Sequence, residues 1–528
     1  MPRLQVDEFL GQSARLLPEK VALVCGTRRL TYGELDDAAN QLAHGLLELG
    51  VRRGDRVVIY LENSVEAVVS IFGILRAGAA FVPVGPTVKA DKLAYILGDS
   101  QATALIADHR AHQVTADALR RSPCVRATVV VGGSGDPVAD AGFRVVPFLN
   151  LVVDPRRGPL SRPHAGSIDI DLAALVYTSG STGRPKGVML THVNIVTAAT
   201  SISEYLGNTD DDVILDVLPL SFDYGLYQVF LAFKVGARLV LERSFVYTTV
   251  MLDLLVREGV TGLPIVPMLA VLLLKHDLRA YTLTLRYITN TGAVLPPPHI
   301  EALRERFPHV RLYSMYGLTE CKRVSYLPPD EIESRPTSVG KPMENVEVFV
   351  ADESGDLHET GVGELVVRGS NVMQGYWRAP EDTARVLKPG RFPGEQLLHT
   401  GDLFHIDDDG YMYFQGRLDE LIKSRGQRVS PREVEDVIYE IPGVTEVSVV
   451  GEPDEMRGNA IKAFVSVEPG HALAEQDVIR HCAQRLEDFM VPRVIQFVDS
   501  IPRTESGKLH RRLLVPSVAA PASSSRAG

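Results

Sequence analysis

The stretch Tyr177-Thr178-Ser179-Gly180-Ser181-Thr182-Gly183-Arg184-Pro185-Lys186-Gly187 follows directly on the apolar, strand-like run of residues 172–176. Its eleven residues include five hydroxyl side chains, three glycines and two cations. Glycines let backbone N–H groups approach a ligand closely, and short hydroxyl side chains donate to phosphate oxygens. The pattern predicts a loop that wraps a polyphosphate. It differs from a Walker loop, because Lys186 is followed by Gly187 and not by a Ser or Thr that opens a helix.

Composition limits the classes of partner. The chain has 528 residues, of which 45% are apolar and 23% are charged, as in ordinary globular proteins. Its net charge of −11, without a Lys/Arg run, argues against nucleic acid and against an anionic membrane surface as partners. Four widely spaced cysteines make a zinc site or a disulfide framework improbable. No stretch predicts a signal peptide or a membrane span, so we expect no membrane insertion and a cytoplasmic protein.

Strand-length and helix-length segments alternate up to about residue 300. Thr31 and Glu34 have the spacing of a capping box before a helix that ends at Gly50. A strand over 57–61 and a helix over 64–78 follow, and further strands are predicted at 128–131 and 172–176. This alternation predicts α/β layers with parallel strands. Residues 132–166, rich in Gly, Pro and Arg, are interpreted as a surface excursion.

The pattern changes after about residue 340, where short β-rich segments predict a small antiparallel unit. From about residue 416 the pattern predicts a compact α+β domain, with a helix after Pro431, strands at 447–450 and 463–467, and a helix at 476–486. The predicted class is therefore α/β. A large N-terminal domain of layered α/β subdomains plus the antiparallel unit spans 1–415, a small α+β domain spans 416–515, and a disordered tail spans 516–528.

Six motifs in a fixed order resemble those of the adenylate-forming superfamily, which includes acyl-CoA synthetases, nonribosomal-peptide adenylation domains and luciferases. The resemblance covers roughly residues 8–515. The motifs that accompany the phosphate loop 177–187 are Leu30–Leu35, Ser314–Glu320, Gly363–Leu365 with Gly375-Tyr376, Thr400–Leu403, Gly416–Asp419 through Ile422–Gly426, and Pro502–Lys508.

The resemblance implies that the enzyme joins a carboxylate to the α-phosphate of ATP with Mg²⁺, releases pyrophosphate, and passes the acyl group to a second nucleophile. A carboxylic acid is already ionised at pH 7, so the first step needs no general base. The obstacle is the approach of one anion to another, which fixed cations, a metal ion and in-line positioning overcome.

Family roles are carried over residue by residue. The loop residues Thr178, Ser179, Gly180, Ser181, Thr182 and Gly183, with Lys186, would hold the β- and γ-phosphates. Tyr316 would lie against adenine, Thr319 would donate to the α-phosphate, and Glu320 would hold Mg²⁺. Asp402, assisted by Arg417, would accept the ribose hydroxyls.

Lys508 would bridge the acyl carboxylate and the α-phosphate, which requires the C-terminal domain to close over the site. Asp419 matches the hinge about which related enzymes turn this domain between two half-reactions. After that domain alternation, the face formed by Lys423, Arg425 and Gly426 would admit a CoA or pantetheine thiol.

Replacing Lys508 separates these two half-reactions. We expect Lys508→Ala to abolish formation of the acyl-adenylate, because the bridging charge is lost, while preformed acyl-adenylate still reacts with its acceptor. Pyrophosphate exchange measures the first step, and product formation from synthetic acyl-adenylate measures the second. If Lys508→Ala slowed both half-reactions to the same degree, Lys508 would not act in the first half-reaction alone.

The acid pocket is predicted from the segments that line it in the family. The substrate candidates are Phe222, Asp223, Tyr224, Tyr227, Met268, Thr289, Thr291, Gly292, Met315 and Arg323. Asp223 matches the aspartate with which amino-acid-activating domains pair the substrate ammonium. Asp223 then either binds the ammonium group of an amino acid or deprotonates an incoming amine. In the third alternative, Asp223 is hydrogen-bonded to nearby protein groups and the substrate carries no nitrogen. Arg323 is expected to point outward rather than to meet a second polar group of the substrate.

The acceptor stays open among three choices. We expect transfer of the acyl group to CoA or another pantetheine thiol first, loading of a separate carrier protein second, and direct amide formation with an amine third. A luciferase-like oxygenase would share every motif, whereas a non-catalytic relative would be expected to lack Lys508 or Glu320, and both are present.

Overall fold

Helices and strands alternate along most of the computed structural model, which describes residues 5–133, 144–152, 160–179, 184–243, 248–278, 281–424, 427–454, 458–468, 470–502 and 514. The helices are α1 (Glu8–Leu16), α2 (Tyr32–Glu48), α3 (Val65–Arg76), α4 (Ala90–Ser100), α5 (His112–Leu119), α6 (Phe148–Val152), α7 (His192–Leu206), α8 (Asp223–Val235), α9 (Thr248–Arg257), α10 (Pro267–Leu274), α11 (Pro297–Arg306), α12 (Pro380–Val386), α13 (Pro431–Tyr439) and α14 (Glu475–Ala483).

The strands carry their own numbering in chain order. They are β1 (Val21–Cys25), β2 (Arg28–Thr31), β3 (Arg56–Tyr60), β4 (Ala80–Val84), β5 (Ala104–Asp108), β6 (Ala127–Val131), β7 (Arg144–Pro147), β8 (Leu172–Ser179), β9 (Pro185–Thr191), β10 (Val213–Asp216), β11 (Arg238–Leu241), β12 (Gly262–Ile265), β13 (Tyr287–Asn290), β14 (Arg311–Tyr316), β15 (Ser325–Leu327), β16 (Lys341–Pro342), β17 (Val346–Ala351), β18 (Leu357–His358), β19 (Gly361–Gly369), β20 (Leu387–Pro389), β21 (Gln396–Ile406), β22 (Met412–Arg417), β23 (Ile422–Ser424), β24 (Gln427–Val429), β25 (Val444–Asp454), β26 (Gly458–Val467) and β27 (Val494–Phe497).

The start of α2 shows how local sequence sets a boundary. The Thr31 hydroxyl accepts the backbone N–H of Glu34 at 3.2 Å, and the Glu34 carboxylate accepts the N–H of Thr31 at 2.8 Å. This capping box satisfies N–H groups that the first helical turn leaves unpaired. The predicted helix is confirmed, and so is the next one, α3, which Ser64 caps.

Two largely parallel sheets form the layers of the N-terminal part. One has the order β7-β6-β5-β3-β4-β8-β9, parallel except for the β8–β9 hairpin. The other has the order β16-β15-β14-β13-β12-β10-β11-β1-β2, with parallel pairing from β14 to β1 and antiparallel strands at both edges. One apolar core includes residues of both sheets and of the helices α2, α3 and α8. A second, smaller core that includes Val58 and Leu97 lies on the other face of the seven-stranded sheet.

The predicted surface excursion over 132–166 is wrong for residues 144–152. Strand β7 adds to the sheet parallel to β6, and α6 buries Phe148 and Leu151. Leu151 packs on α2 at Gly45, where an added Cβ would lie 2.8 Å from the leucine side chain. Tertiary packing therefore orders a segment that its composition marked as a loop.

Two further sheets follow. The antiparallel unit has the order β18-β17-β19-β21-β20, with β22 also on β21. The C-terminal unit joins β24-β23-β26-β25, with β27 on β26, and has a separate apolar core that includes Ile422, Val449 and Val478. The predicted fold class is confirmed. The domain limits 1–415 and 416–515 and the motion about Asp419 stay predictions, and the tail 516–528 lies outside the described residues.

In the part of the chain that the structure describes, no helix has both the length and the apolar character needed to cross a bilayer.

The parallel strands position the site. Strands β10, β12, β13 and β14 lie side by side and end at Asp216, Ile265, Asn290 and Tyr316. The carboxyl ends of parallel strands meet at one edge of a sheet, which is where ligands of α/β proteins bind. The segments that leave these strands carry most of the predicted substrate and nucleotide residues.

Candidate active site

A cavity of about 270 Å³ lies at the carboxyl edge of the nine-stranded sheet. One wall is the segment 291–294, which follows β13, and another is the segment 314–318, which contains the end of β14. Asp402 and Arg417 from the antiparallel unit complete this side. Arg432 and Glu435, from the start of α13 in the C-terminal unit, also line the cavity. The cavity thus brings together the predicted residues Thr291, Gly292, Met315, Tyr316, Asp402 and Arg417.

Tyr316, Asp402 and Arg417 form one bonded group at this wall. The Tyr316 hydroxyl donates to Asp402 Oδ2 at 2.5 Å, and Arg417 Nη1 donates to Asp402 Oδ1 at 2.9 Å. Asp402 is only 5% exposed. Burial and the neighbouring carboxylate raise the pKa of Tyr316 well above its ordinary value, so its hydroxyl stays a donor. The group is preorganised rather than free to rotate.

Glu364 holds the turn that carries Asp402. Its Oε1 accepts the N–H of Gly401 at 3.0 Å, and its Oε2 lies 2.9 Å from His399 Nδ1. Although burial alone would raise the pKa of Glu364, these bonds from His399 and Gly401 hold it below its ordinary value. The motif 363–365 therefore positions the predicted ribose-binding carboxylate, a role that its sequence did not reveal.

The predicted phosphate end is built on the β8–β9 hairpin. Thr178 pairs with Lys186 across the hairpin, and Lys186 Nζ lies 2.9 Å from Asp382 Oδ1 and 5.3 Å from the centroid of the Tyr376 ring. The Tyr376 hydroxyl donates to Glu320 Oε1 at 2.8 Å. Tyr376 thus links the predicted phosphate cation to the predicted metal ligand. Tyr376 belongs to the motif Gly375-Tyr376, for which the sequence predicted no role.

The remaining nucleotide and thiol residues are placed as follows. Thr319 is half-buried in the turn after β14, Asp419 is exposed and accepts from Arg417 Nε at 3.1 Å, and Lys423 is exposed on β23. Gly180, Ser181, Thr182, Gly183, Arg425, Gly426 and Lys508 lie outside the described residues, as does the side chain of Ser179.

The donor set around Glu320 fits Mg²⁺ that arrives with a nucleotide. Mg²⁺ is usually held by one or two carboxylates plus substrate phosphates rather than by an all-protein cage. Within the described ranges, no three His, Cys, Asp or Glu side chains form a cluster that could hold a metal ion alone. A half-buried carboxylate oriented by Tyr376 suits the shared arrangement.

Four of the predicted acid-pocket residues, Phe222, Asp223, Tyr224 and Tyr227, lie at the start of α8, and none of them is among the described residues that line the cavity. Phe222 lies beside Gly292, where an added Cβ would be 3.6 Å from the phenylalanine Cζ. The Tyr224 hydroxyl donates to the Thr289 carbonyl at 2.8 Å, and Tyr224 and Tyr227 are each 1% exposed. Met268 is half-buried at the start of α10, where its neighbour Pro267 lines the cavity.

Asp223 has a cation partner within the chain. Lys322 Nζ lies 3.5 Å from Asp223 Oδ2 and 4.6 Å from the centroid of the Tyr227 ring. The two residues are 8% and 4% exposed. Burial lowers the pKa of Lys322 to about 8, although Asp223 opposes the shift. Of the roles left open for Asp223, this geometry matches the locally bonded one.

The expectation that Arg323 points outward is wrong. Arg323 is 2% exposed, and its guanidinium carbon lies 5.5 Å from the centroid of the Tyr224 ring. The cause is the turn after β14, in which Lys322 adopts a left-handed φ of 49°. Consecutive basic residues are usually solvated, but this backbone turns both side chains inward.

Comparison with known proteins identifies two family models. The model described as AMP-binding enzyme matches residues 10–377, and the AMP-binding enzyme C-terminal domain matches residues 433–508. A curated relative, 3-[(3aS,4S,7aS)-7a-methyl-1,5-dioxo-octahydro-1H-inden-4-yl]propanoyl:CoA ligase of Rhodococcus jostii (strain RHA1), is 32% identical over 96% of this chain and 97% of its own.

Other relatives are much longer. Tyrocidine synthase 1 of Brevibacillus parabrevis is 29% identical over 96% of this chain, which spans 44% of that protein. The chain spans 10% and 37% of two further peptide-synthase subunits.

Solved structures agree with the fold. The anthranilate CoA ligase AuaEII in complex with anthranoyl-AMP superposes with a TM-score of 0.86 at 29% identity, over 97% of this chain and 96% of that one. The amide bond synthetase McbA of Marinactinospora thermotolerans gives 0.85 at 28% identity, over 96% and 99%.

Removing the hydroxyl of Tyr376 tests its link to Glu320. We expect Tyr376→Phe to lower kcat/KM for ATP about tenfold, since hydrogen bonds to charged groups contribute roughly 1.5–3 kcal/mol. The Mg²⁺ concentration for half-maximal activity should rise, because Glu320 loses its orienting donor. Activity is measured by pyrophosphate release in a Mg²⁺ titration.

Tyr60→Phe is the matched control, because the Tyr60 hydroxyl donates to Pro86 and Val88 carbonyls outside the cavity. An unchanged Mg²⁺ dependence in Tyr376→Phe, or the same change in the control, would contradict the assignment.

Proposed function

The chain belongs to the AMP-binding enzymes of the adenylate-forming superfamily, and we propose that it activates a carboxylic acid as its acyl-adenylate and transfers the acyl group to CoA or a pantetheine thiol. The CoA ligases and synthetases among its relatives support the class of AMP-forming ligase.

Two connected groups of polar side chains carry the proposal, and the first of them lines the cavity. Tyr316, Asp402 and Arg417 form a polar wall suited to a nucleoside, and Lys186, Tyr376 and Glu320 form a connected group suited to phosphate and Mg²⁺. An acidic chain needs such a local set to bind a polyanion. ATP-bound structures among its neighbours support ATP as the nucleotide.

The reaction has two displacements at this site. A carboxylate oxygen of the acid attacks the α-phosphorus of ATP, and the bond to pyrophosphate breaks. The thiolate sulfur then attacks the acyl carbonyl, and AMP leaves. Mg²⁺ held by Glu320 would neutralise phosphate charge, while Thr319, Lys186 and Lys508 would supply the donors and cations that stabilise the transition state.

The acid most compatible with Asp223 carries no α-ammonium group. A buried carboxylate requires a compensating cation, and Lys322 already supplies one at 3.5 Å. This observation favours an acyl or aryl acid over an α-amino acid.

Two other acceptors remain as alternatives. Similarity to tyrocidine synthase 1 supports loading of a separate carrier protein, and the fold of McbA supports transfer to an amine. The thiol of CoA comes first because the relative that matches over nearly its whole length is a CoA ligase.

Acid-dependent exchange of labelled pyrophosphate into ATP tests the first half-reaction over a panel of fatty, aryl and amino acids. We expect exchange with acids that lack an α-amino group and release of AMP, not ADP. Mass analysis after addition of CoA, a phosphopantetheinylated carrier or an amine then identifies the acceptor. Formation of ADP, or no exchange with any acid, would overturn the proposal.

A double-mutant cycle tests the partner of Asp223. We expect Lys322→Met alone to lower the free energy of unfolding by about 3 kcal/mol, because it leaves a buried carboxylate unpaired. Lys322→Met with Asp223→Asn should recover most of that loss, as measured by urea denaturation without substrate. Strictly additive effects would show that the two charges are not coupled, and would restore the amino-acid interpretation.

A further inference from the structure

Arg323 is a buried cation that its surroundings leave incompletely satisfied. It is 2% exposed, and its Nε and Nη1 have no hydrogen-bond partner among the residues that the structure describes. Its visible neighbours are the Tyr224 ring, 5.5 Å away, and the hydroxyl of Tyr205. A buried guanidinium is costly without an acceptor, so this position calls for one.

We propose that Arg323 receives a second carboxylate of the substrate, so that the acid activated by this enzyme is a dicarboxylic acid. This inference rests on the proposed function and specifies its substrate class. One carboxylate would react at the α-phosphate, and the other would accept Nη2–H of Arg323 together with the unpartnered Nε–H or Nη1–H on the same edge of the guanidinium. A guanidinium and a carboxylate form two parallel hydrogen bonds, which gives both affinity and orientation.

The charges around Arg323 support this choice of ligand. Asp223 is paired with Lys322. Burial raises the pKa of Asp216, the other buried acid of this region, well above its ordinary value, and its charge interaction is with Lys322. No described carboxylate accepts a hydrogen bond from Nε or Nη1 of Arg323.

Two side-chain contacts connect Arg323 to the cavity. Met315 lines the cavity, and its sulfur accepts a hydrogen bond from the Tyr205 hydroxyl at 3.1 Å. Burial raises the pKa of Tyr205 to about 12, an effect that the nearby Arg323 guanidinium opposes. Tyr205 thus connects Met315, which lines the cavity, with Arg323, which does not. Methionine side chains are flexible, so an elongated acid can displace this one.

Calorimetric titration compares matched acids in the presence of a non-hydrolysable ATP analogue and Mg²⁺. The dicarboxylates are succinate, glutarate, adipate and terephthalate, and the corresponding monoacids are butyrate, valerate, hexanoate and 4-methylbenzoate. We expect at least one dicarboxylate to bind wild-type protein far more tightly than its monoacid. Arg323→Met should weaken that dicarboxylate by about 100-fold, because a bidentate charged pair is lost, and leave the monoacid unchanged.

Two variants separate recognition from structure. Arg323→Met should melt at the same temperature as unliganded wild type or higher, since it removes a buried unpaired charge. Arg304→Met, which breaks a pair with Glu333 on the surface of α11, should leave all acid affinities unchanged.

Three results would overturn the proposal. The first is that no dicarboxylate binds more tightly than its monoacid, and the second is that Arg323→Met still prefers the dicarboxylate over its monoacid. The third is that unliganded Arg323→Met melts well below wild type, which would make Arg323 structural. These binding measurements do not depend on turnover. If the proposed adenylation fails, pyrophosphate exchange is absent with every acid while the binding results still stand.

Discussion

The close approach of Gly317 to the carbonyl of Lys322 is the constraint on which the site depends. An added Cβ on Gly317 would lie 2.0 Å from that oxygen, so only glycine permits the contact. The turn is closed by the Val324 N–H, which donates to the Tyr316 carbonyl at 3.0 Å. Within this turn, Glu320 accepts the hydrogen bond from Tyr376, and Lys322 and Arg323 are buried.

Two described cations of the predicted nucleotide site, Lys186 and Arg417, are already engaged by carboxylates. Lys186 contacts Asp382, and Arg417 contacts both Asp402 and Asp419. In a chain with a net charge of −11, these pairs hold the cations in position before a polyanion arrives. At the proposed nucleotide site, binding would therefore exchange one set of charge contacts for another, and positioning would be the main contribution of the protein.

Predictions from the sequence succeeded where the determinants were local. The capping box of Thr31 and Glu34 is set by residues three positions apart. Each family motif is likewise a short run of adjacent residues, so both could be identified from the sequence. The predictions failed where packing between distant segments decides the outcome. Leu151 is ordered because Gly45 leaves room for it on α2, and Arg323 is buried because a left-handed residue precedes it. The links through Tyr376 and Glu364 join residues dozens of positions apart, so no local pattern could reveal them.

Asp223 and Arg323 differ in a way that only the structure could reveal. Both are charged, both are buried, and both lie against the same tyrosines. The charge of Asp223 is balanced inside the protein by Lys322, whereas no described carboxylate pairs with Arg323. A pocket that balances its own anion has no need of an ammonium on the substrate, and one that keeps a cation unbalanced disfavours a purely apolar acid. Under the proposed substrate class, the charge that the pocket lacks contributes more than its shape to the choice of acid.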